Sequence, residues 1–110
     1  MPTTVVGYST PDEVITALGA KGVDCKNPTP IALTDADRKY VEIATECSID
    51  GELVSVGTFA GPQQRASYEA GGEQGNGGYP HWALGATWAV ATLTRAKAEQ
   101  IAAAIGGTPH

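Results

Sequence analysis

The dipeptide Asp50-Gly51, set between two stretches of alternating apolar and polar residues, constrains this chain more than any other feature. Tyr40 to Ile49 precedes it and Glu52 to Ala60 follows. A two-residue type I′ loop needs positive φ at both central residues, and Asp-Gly is among the pairs that tolerate this. Such a loop dictates the pairing of the strands: Ile49 faces Glu52, Cys47 faces Val54, Thr45 faces Val56 and Ile43 faces Thr58. One face of the ribbon then carries Val41, Ile43, Thr45, Cys47, Ile49, Val54 and Val56. The other carries Glu42, Glu46, Ser48 and Ser55, with Leu53 and Phe59 as apolar exceptions. A slip of one residue would set valines opposite glutamates, so pattern and turn support each other.

Upstream, Thr10-Pro11-Asp12-Glu13 reads as a capping box with proline at the first helical position. Val14, Ala17 and Leu18 follow at the spacing of one apolar stripe, and Lys21-Gly22 supplies an ending, which predicts a helix from about Pro11 to Lys21. Thr3 to Tyr8 reads as a short edge strand. Lys26-Asn27-Pro28-Thr29-Pro30 reads as irregular, because its prolines remove donors and restrict φ.

Beyond the hairpin, Gln63 to Ala70 has the pattern of a short helix. The glycine-rich stretch 71–78 reads as a flexible loop. Trp82 to Thr92 reads as a third long strand, with Leu84, Ala86, Trp88 and Val90 on one face. A last helix, from about Arg95 to Ile105, has Thr94 or Thr92 as its cap, and Gly106-Gly107 stops it. The expected architecture is one α+β domain over residues 1–110. It has an antiparallel sheet of three to four strands, helices packed on one face, and element order (β)αββαβα. A ferredoxin-like order is open if the first strand forms.

The two cysteines allow a single pairing. Cys25 comes three residues after the helix-ending Gly22, and Cys47 faces the core near the turn end of a central strand, which suits a disulfide. Two buried free thiols are the alternative in a reducing compartment.

A net charge of −5, with seven basic residues scattered and no basic run, argues against nucleic acid and anionic membrane surfaces as partners. No apolar stretch approaches the roughly 20 residues that cross a bilayer. MPTTVVGYST has neither a basic n-region nor an apolar h-region. The expected location is extracellular or in the cell envelope after removal of a leader, and cytoplasmic if Met1 is the native start.

The succession Leu18-x-x-x-Gly22-x-x-Cys25, Cys47-x-Ile49-x-Gly51-x-x-Val54, Phe59, Gly85-x-x-Trp88-x-Val90, and a final helix with Ile101 and Gly106-Gly107 resembles a known group. It is similar to the small two-cysteine domains of actinobacterial secreted proteins and lipoproteins, and of their phages. The resemblance spans Val14 to Gly107. It implies an envelope location, a disulfide and no assigned enzymatic activity. The chain departs from that pattern in lacking a leader and lipobox cysteine, and in its glycine-rich insert.

Chemistry-bearing motifs are few. GGEQGNGG has no Lys-Ser/Thr after it and does not lead from a strand into a helix, so it is no phosphate loop. His81 and His110 lack ligand spacing, so neither a metal nor a cofactor is expected. Glu42 and Glu46 share a strand face, where carboxylates are ordinarily solvated. Tyr68, Tyr79, His81 and Trp82 cluster in sequence around the glycine-rich stretch and form the candidate binding residues. The alternative is that Trp82 packs and Tyr79-Pro80 closes a linker.

Two functions from different classes follow. One is a non-catalytic binding or inhibitory domain of the envelope, with a protein or envelope component as partner. The other is a small hydrolase or metal-assisted enzyme using His81 with Glu73 or Asp35. A homo-oligomer formed through an exposed sheet edge is also open.

Overall fold

In the computed structural model, which describes residues 7–71 and 78–110, the tight turn forms as its residues require. Asp50 and Gly51 take φ of 52° and 80°. The flanking strands pair in the register the turn dictates, Ile49 opposite Glu52 through Ile43 opposite Thr58. The first helix, α1 (Pro11–Ala20), begins with the capping box in full. Thr10 Oγ1 accepts from the Glu13 N–H, while the Glu13 carboxylate accepts from the N–H groups of Ser9 and Thr10.

Nine further elements follow in chain order. They are β1 (Lys26–Pro30), a 3₁₀ turn (Asp37–Lys39), β2 (Ile43–Ile49), β3 (Glu52–Thr58), α2 (Pro62–Gly71), β4 (His81–Leu84), β5 (Trp88–Thr92), α3 (Arg95–Ile105) and β6 (Thr108–Pro109). The strands form one six-stranded antiparallel sheet in the order β1-β2-β3-β5-β4-β6. The α+β class stands, but the sheet has more strands than the three to four expected.

Three differences account for this. The proline-bearing segment Lys26–Pro30 is an edge strand, where a missing N–H does not break a ladder, and its register shifts between Lys26 and Thr29. The expected long strand from Trp82 to Thr92 is instead a hairpin. Leu84 pairs with Ala89 and the chain reverses through Ala86 and Thr87. Finally, Thr108–Pro109 pairs with β4 at the far edge. At the N-terminus, Gly7 and Tyr8 are not strand. Thr87 holds Tyr8 instead: its Oγ1 accepts from the Tyr8 N–H at 2.7 Å and donates to the Tyr8 carbonyl at 2.9 Å. The rest of the expected first strand lies outside the described residues, and the described elements do not follow a ferredoxin-like order.

The sheet is covered on both faces, not one. Val14 and Leu18 of α1 and Ile101 and Ala102 of α3 pack on Cys47, Ile49, Val54, Val56, Ala83, Trp88 and Val90. Tyr68 of α2 packs on the opposite side, with Val41, Ala44, Leu84 and Ala89. The period-two alternation of strands makes these two sets neighbours through the sheet. Val41 lies before β2 begins at Ile43, outside that alternation, and joins the second face instead of the first, while Ile43, expected inside, is 44% exposed. Trp88 is 1% exposed as expected of a core residue. Its indole lies where a Cβ on Gly85 would stand and within 2.9 Å of one on Gly107, so the ring can reach this depth only over glycines.

Cys25 and Cys47 form the disulfide, with Cα atoms 5.5 Å apart. It ties the segment after α1 to β2 beneath the first face. In the chain-entropy picture, closing a loop of 22 residues' separation stabilises the fold by about 3 kcal/mol.

Candidate functional site

The connection from β1 to β2 lays one wall of a cavity on the α2 side of the sheet. The Ile31 N–H donates to the Ala44 carbonyl at 2.9 Å, which extends the β1 ladder and sets Ile31 beside Ala44. Thr34 and Asp37 then cap each other: Asp37 Oδ2 accepts from the Thr34 N–H, and Thr34 Oγ1 accepts from the Asp37 N–H. This closed turn holds Leu33 and Asp37 at the rim. The floor is the polar-looking side of the hairpin, with Val41, Ala44 and Glu46 below one half and Ser55 and Gly57 below the other. Tyr68 and Tyr79 complete the lining of this half-open cavity, whose volume is about 220 Å³.

Apolar side chains line the cavity together with two carboxylates, Asp37 and Glu46. Among the described residues no lysine or arginine lines it. The Glu46 side chain makes no hydrogen bond or ion pair among the described residues. Glu42, four residues earlier on the same strand face, lies 3.9 Å from Arg38 and 3.3 Å from the Gln64 amide. Tyr79 is half-buried, and its phenol is held above the ordinary value of 10.0, first by desolvation and then by the negative charge of Glu46. Glu46 and Tyr79 both line the cavity.

The four candidate aromatic residues do not form one surface. Tyr68 is 2% exposed. It packs edge-on against Phe59 at 5.5 Å and Trp82 at 6.3 Å between ring centroids, so it belongs to the second core and meets the cavity only as wall. Trp82 packs, with its ring stacked on His110 at 5.5 Å and 18°. Its Nε1 and the Nε2 of His110 are buried without a hydrogen-bond partner among the described residues. His81 has the strand parity of Ala83, which faces α3, and its Nδ1 lies 3.2 Å from the His110 carbonyl. Neither Asp35 nor any other described carboxylate pairs with it, and Glu73 lies outside the described residues, as do residues 72–77 of the expected loop. Of the four, Tyr68 and Tyr79 line the cavity, and Tyr79 is the one that is half-exposed there.

Sequence reasoning missed Ile31, Leu33, Asp37 and Ser55 as site residues. Two signals were present. Leu53 and Phe59 on the polar face of the hairpin betray a second covered surface, and Phe59 does pack there. Ile31 and Leu33 alternate directly after the proline segment, as a continuing edge strand would. Among the described residues no group of three or more His, Cys, Asp or Glu could hold a metal ion. No helix among them is long and apolar enough to cross a membrane.

Comparison with known proteins adds no relative: no family model matches the chain, and neither a curated protein nor a solved structure matches it.

Proposed function

We propose that this chain is a non-catalytic binding domain that works in an oxidising compartment, at the cell envelope or outside the cell, and engages a polypeptide through the cavity beside Tyr79. The observation that carries this reading is the cavity itself. At about 220 Å³ it is smaller than the roughly 300–1,000 Å³ of pockets that enclose a whole small molecule, and its size suits one side chain of a partner. Tyr79, large and stiff at the rim, is the kind of residue that supplies contact area at little entropic cost. The oxidising compartment is supported by the Cys25–Cys47 bridge, since persistent disulfides belong to secreted and envelope proteins. The likeness to two-cysteine domains of secreted actinobacterial and phage proteins points the same way.

Selection of a random displayed peptide library on the folded domain tests the reading. Enriched peptides are expected to lose at least fivefold of their retention on Tyr79→Ala, about 1 kcal/mol, the mark of an important contact. Equal retention on Tyr79→Ala, or no enrichment over bare support, overturns it.

A further inference from the structure

We propose that the cavity beside Tyr79 accepts a basic side chain, lysine or arginine, from a partner polypeptide, with its aliphatic stem on Ile31, Leu33 and Ala44 and its cationic head at Glu46. This deepens the binding role proposed above and rests on it.

The geometry separates stem from head. The β1–β2 connection and the start of β2 supply branched and small apolar groups, against which a methylene chain loses its water. Farther along β2, Glu46 stands opposite Ser55, whose hydroxyl can accept a further bond from an ammonium or guanidinium. Asp37 adds a second carboxylate at the rim, with one oxygen already committed to the Thr34 N–H.

Charge complementarity selects the occupant. Among the described residues four of the seven cations meet an acid, Arg38 with Glu42, Arg65 with Glu69, Arg95 with Glu99 and Lys97 with Asp50, and none of the seven meets Glu46. Glu46 has no such cation among the described residues, yet it is half-buried, where an opposite charge gains more than at the open surface. A neutral apolar side chain would fill the slot but leave Glu46 without a partner, and an acidic one would meet like charge. The chain's net charge of −5 also favours approach of a basic segment.

The test is a titration of the isotope-labelled domain with three blocked tripeptides, centred on lysine, norleucine and glutamate, followed by backbone amide resonances. The lysine peptide should shift Ala44, Glu46, Ser55 and Gly57 saturably. The norleucine peptide should bind about tenfold more weakly, the loss of one charge-assisted hydrogen bond. Glu46→Gln should impose the same tenfold loss on the lysine peptide while leaving the melting temperature unchanged. An arginine-centred peptide that matches lysine agrees with the proposal. Equal binding of lysine and norleucine peptides on the unaltered domain overturns it, whatever Glu46→Gln does to folding, and leaves the side-chain cavity of the previous section intact. Non-saturating shifts spread over exposed carboxylates overturn it as well.

Discussion

Lys97 Nζ lies 2.8 Å from Asp50 Oδ2, joining the first turns of α3 to the tight turn of the β2–β3 hairpin across 47 residues of sequence. Glu52, next to that turn, reinforces the junction: its carboxylate accepts from the N–H groups of Leu93 and Thr94 and from the Thr94 hydroxyl. The helix start and the hairpin tip are thus held by acids on one side and a cap on the other. The lysine hydrogen bond and charge hold the Asp50 carboxyl below its ordinary value of 3.8.

This yields a pH prediction. A folded-state value below the unfolded one means that Asp50 contributes stability above the unfolded value, and that the contribution is lost as pH falls through the folded value. Asp50→Asn keeps a turn-competent residue and removes the charge. Its melting temperature should fall below that of the unaltered protein at neutral pH, and the two curves should converge at the acid end. The gap should narrow with added salt, since Asp50 is well exposed. A constant gap from neutral to strongly acid pH would refute the assignment.

Reduction of the disulfide should add two hydrogens to the intact mass and release two titratable thiols. The stability loss is expected at about 3 kcal/mol, read from denaturant unfolding with and without reductant. Protein purified under oxidising conditions that already titrates two thiols would contradict the pairing of Cys25 with Cys47.

Gly85→Ala should destabilise by about 1–3 kcal/mol, because the added methyl collides with the Trp88 indole inside the first core. Gly19→Ala is the opposite case. Gly19 is exposed within α1 and an added Cβ meets nothing within 4 Å, so the substitution should stabilise by about 0.5–1 kcal/mol. Thermal unfolding of the pair decides the matter, and similar signs would mean that Trp88 sits elsewhere.

Val56→Asp should unfold the domain, since Val56 is 0% exposed between α1 and the sheet and the new charge would have no partner. Ser48→Asp, on the opposite face beside Lys26, should stay within about 0.5 kcal/mol of the parent. Circular dichroism of both variants reads the two faces directly.

Tyr79 should titrate above the ordinary tyrosine range in an ultraviolet pH titration of the native protein. Desolvation is the larger cause, so Glu46→Gln should bring the value only part of the way down. No movement in Glu46→Gln would place Glu46 away from the Tyr79 phenol.

What was readable before folding was what local rules encode. Thr10 to Glu13 specify a helix start through bonds made within four residues. Asp50-Gly51 specifies a register through the φ values of two residues. The bridge of Cys25 to Cys47 was the one pairing available, and the hairpin register placed Cys47 inward.

What stayed hidden depends on distant partners. The Ala86-Thr87 reversal carries no positive φ and so none of the glycine or asparagine signature of a primed turn. It is defined by Trp88 seated over Gly85 and Gly107, the latter at the far end of the chain. The prolines of Lys26–Pro30 argue against a strand anywhere except at an edge, and only the assembled sheet says where its edges are. The cavity is the clearest instance. Glu42 and Glu46 look alike on one strand face, yet the folded chain brings Arg38 and Gln64 to the first and Tyr79 to the second. Their difference lies in what packs beside them: Gln64 lies 22 positions from Glu42 and Tyr79 lies 33 from Glu46, and no local spacing encodes their approach.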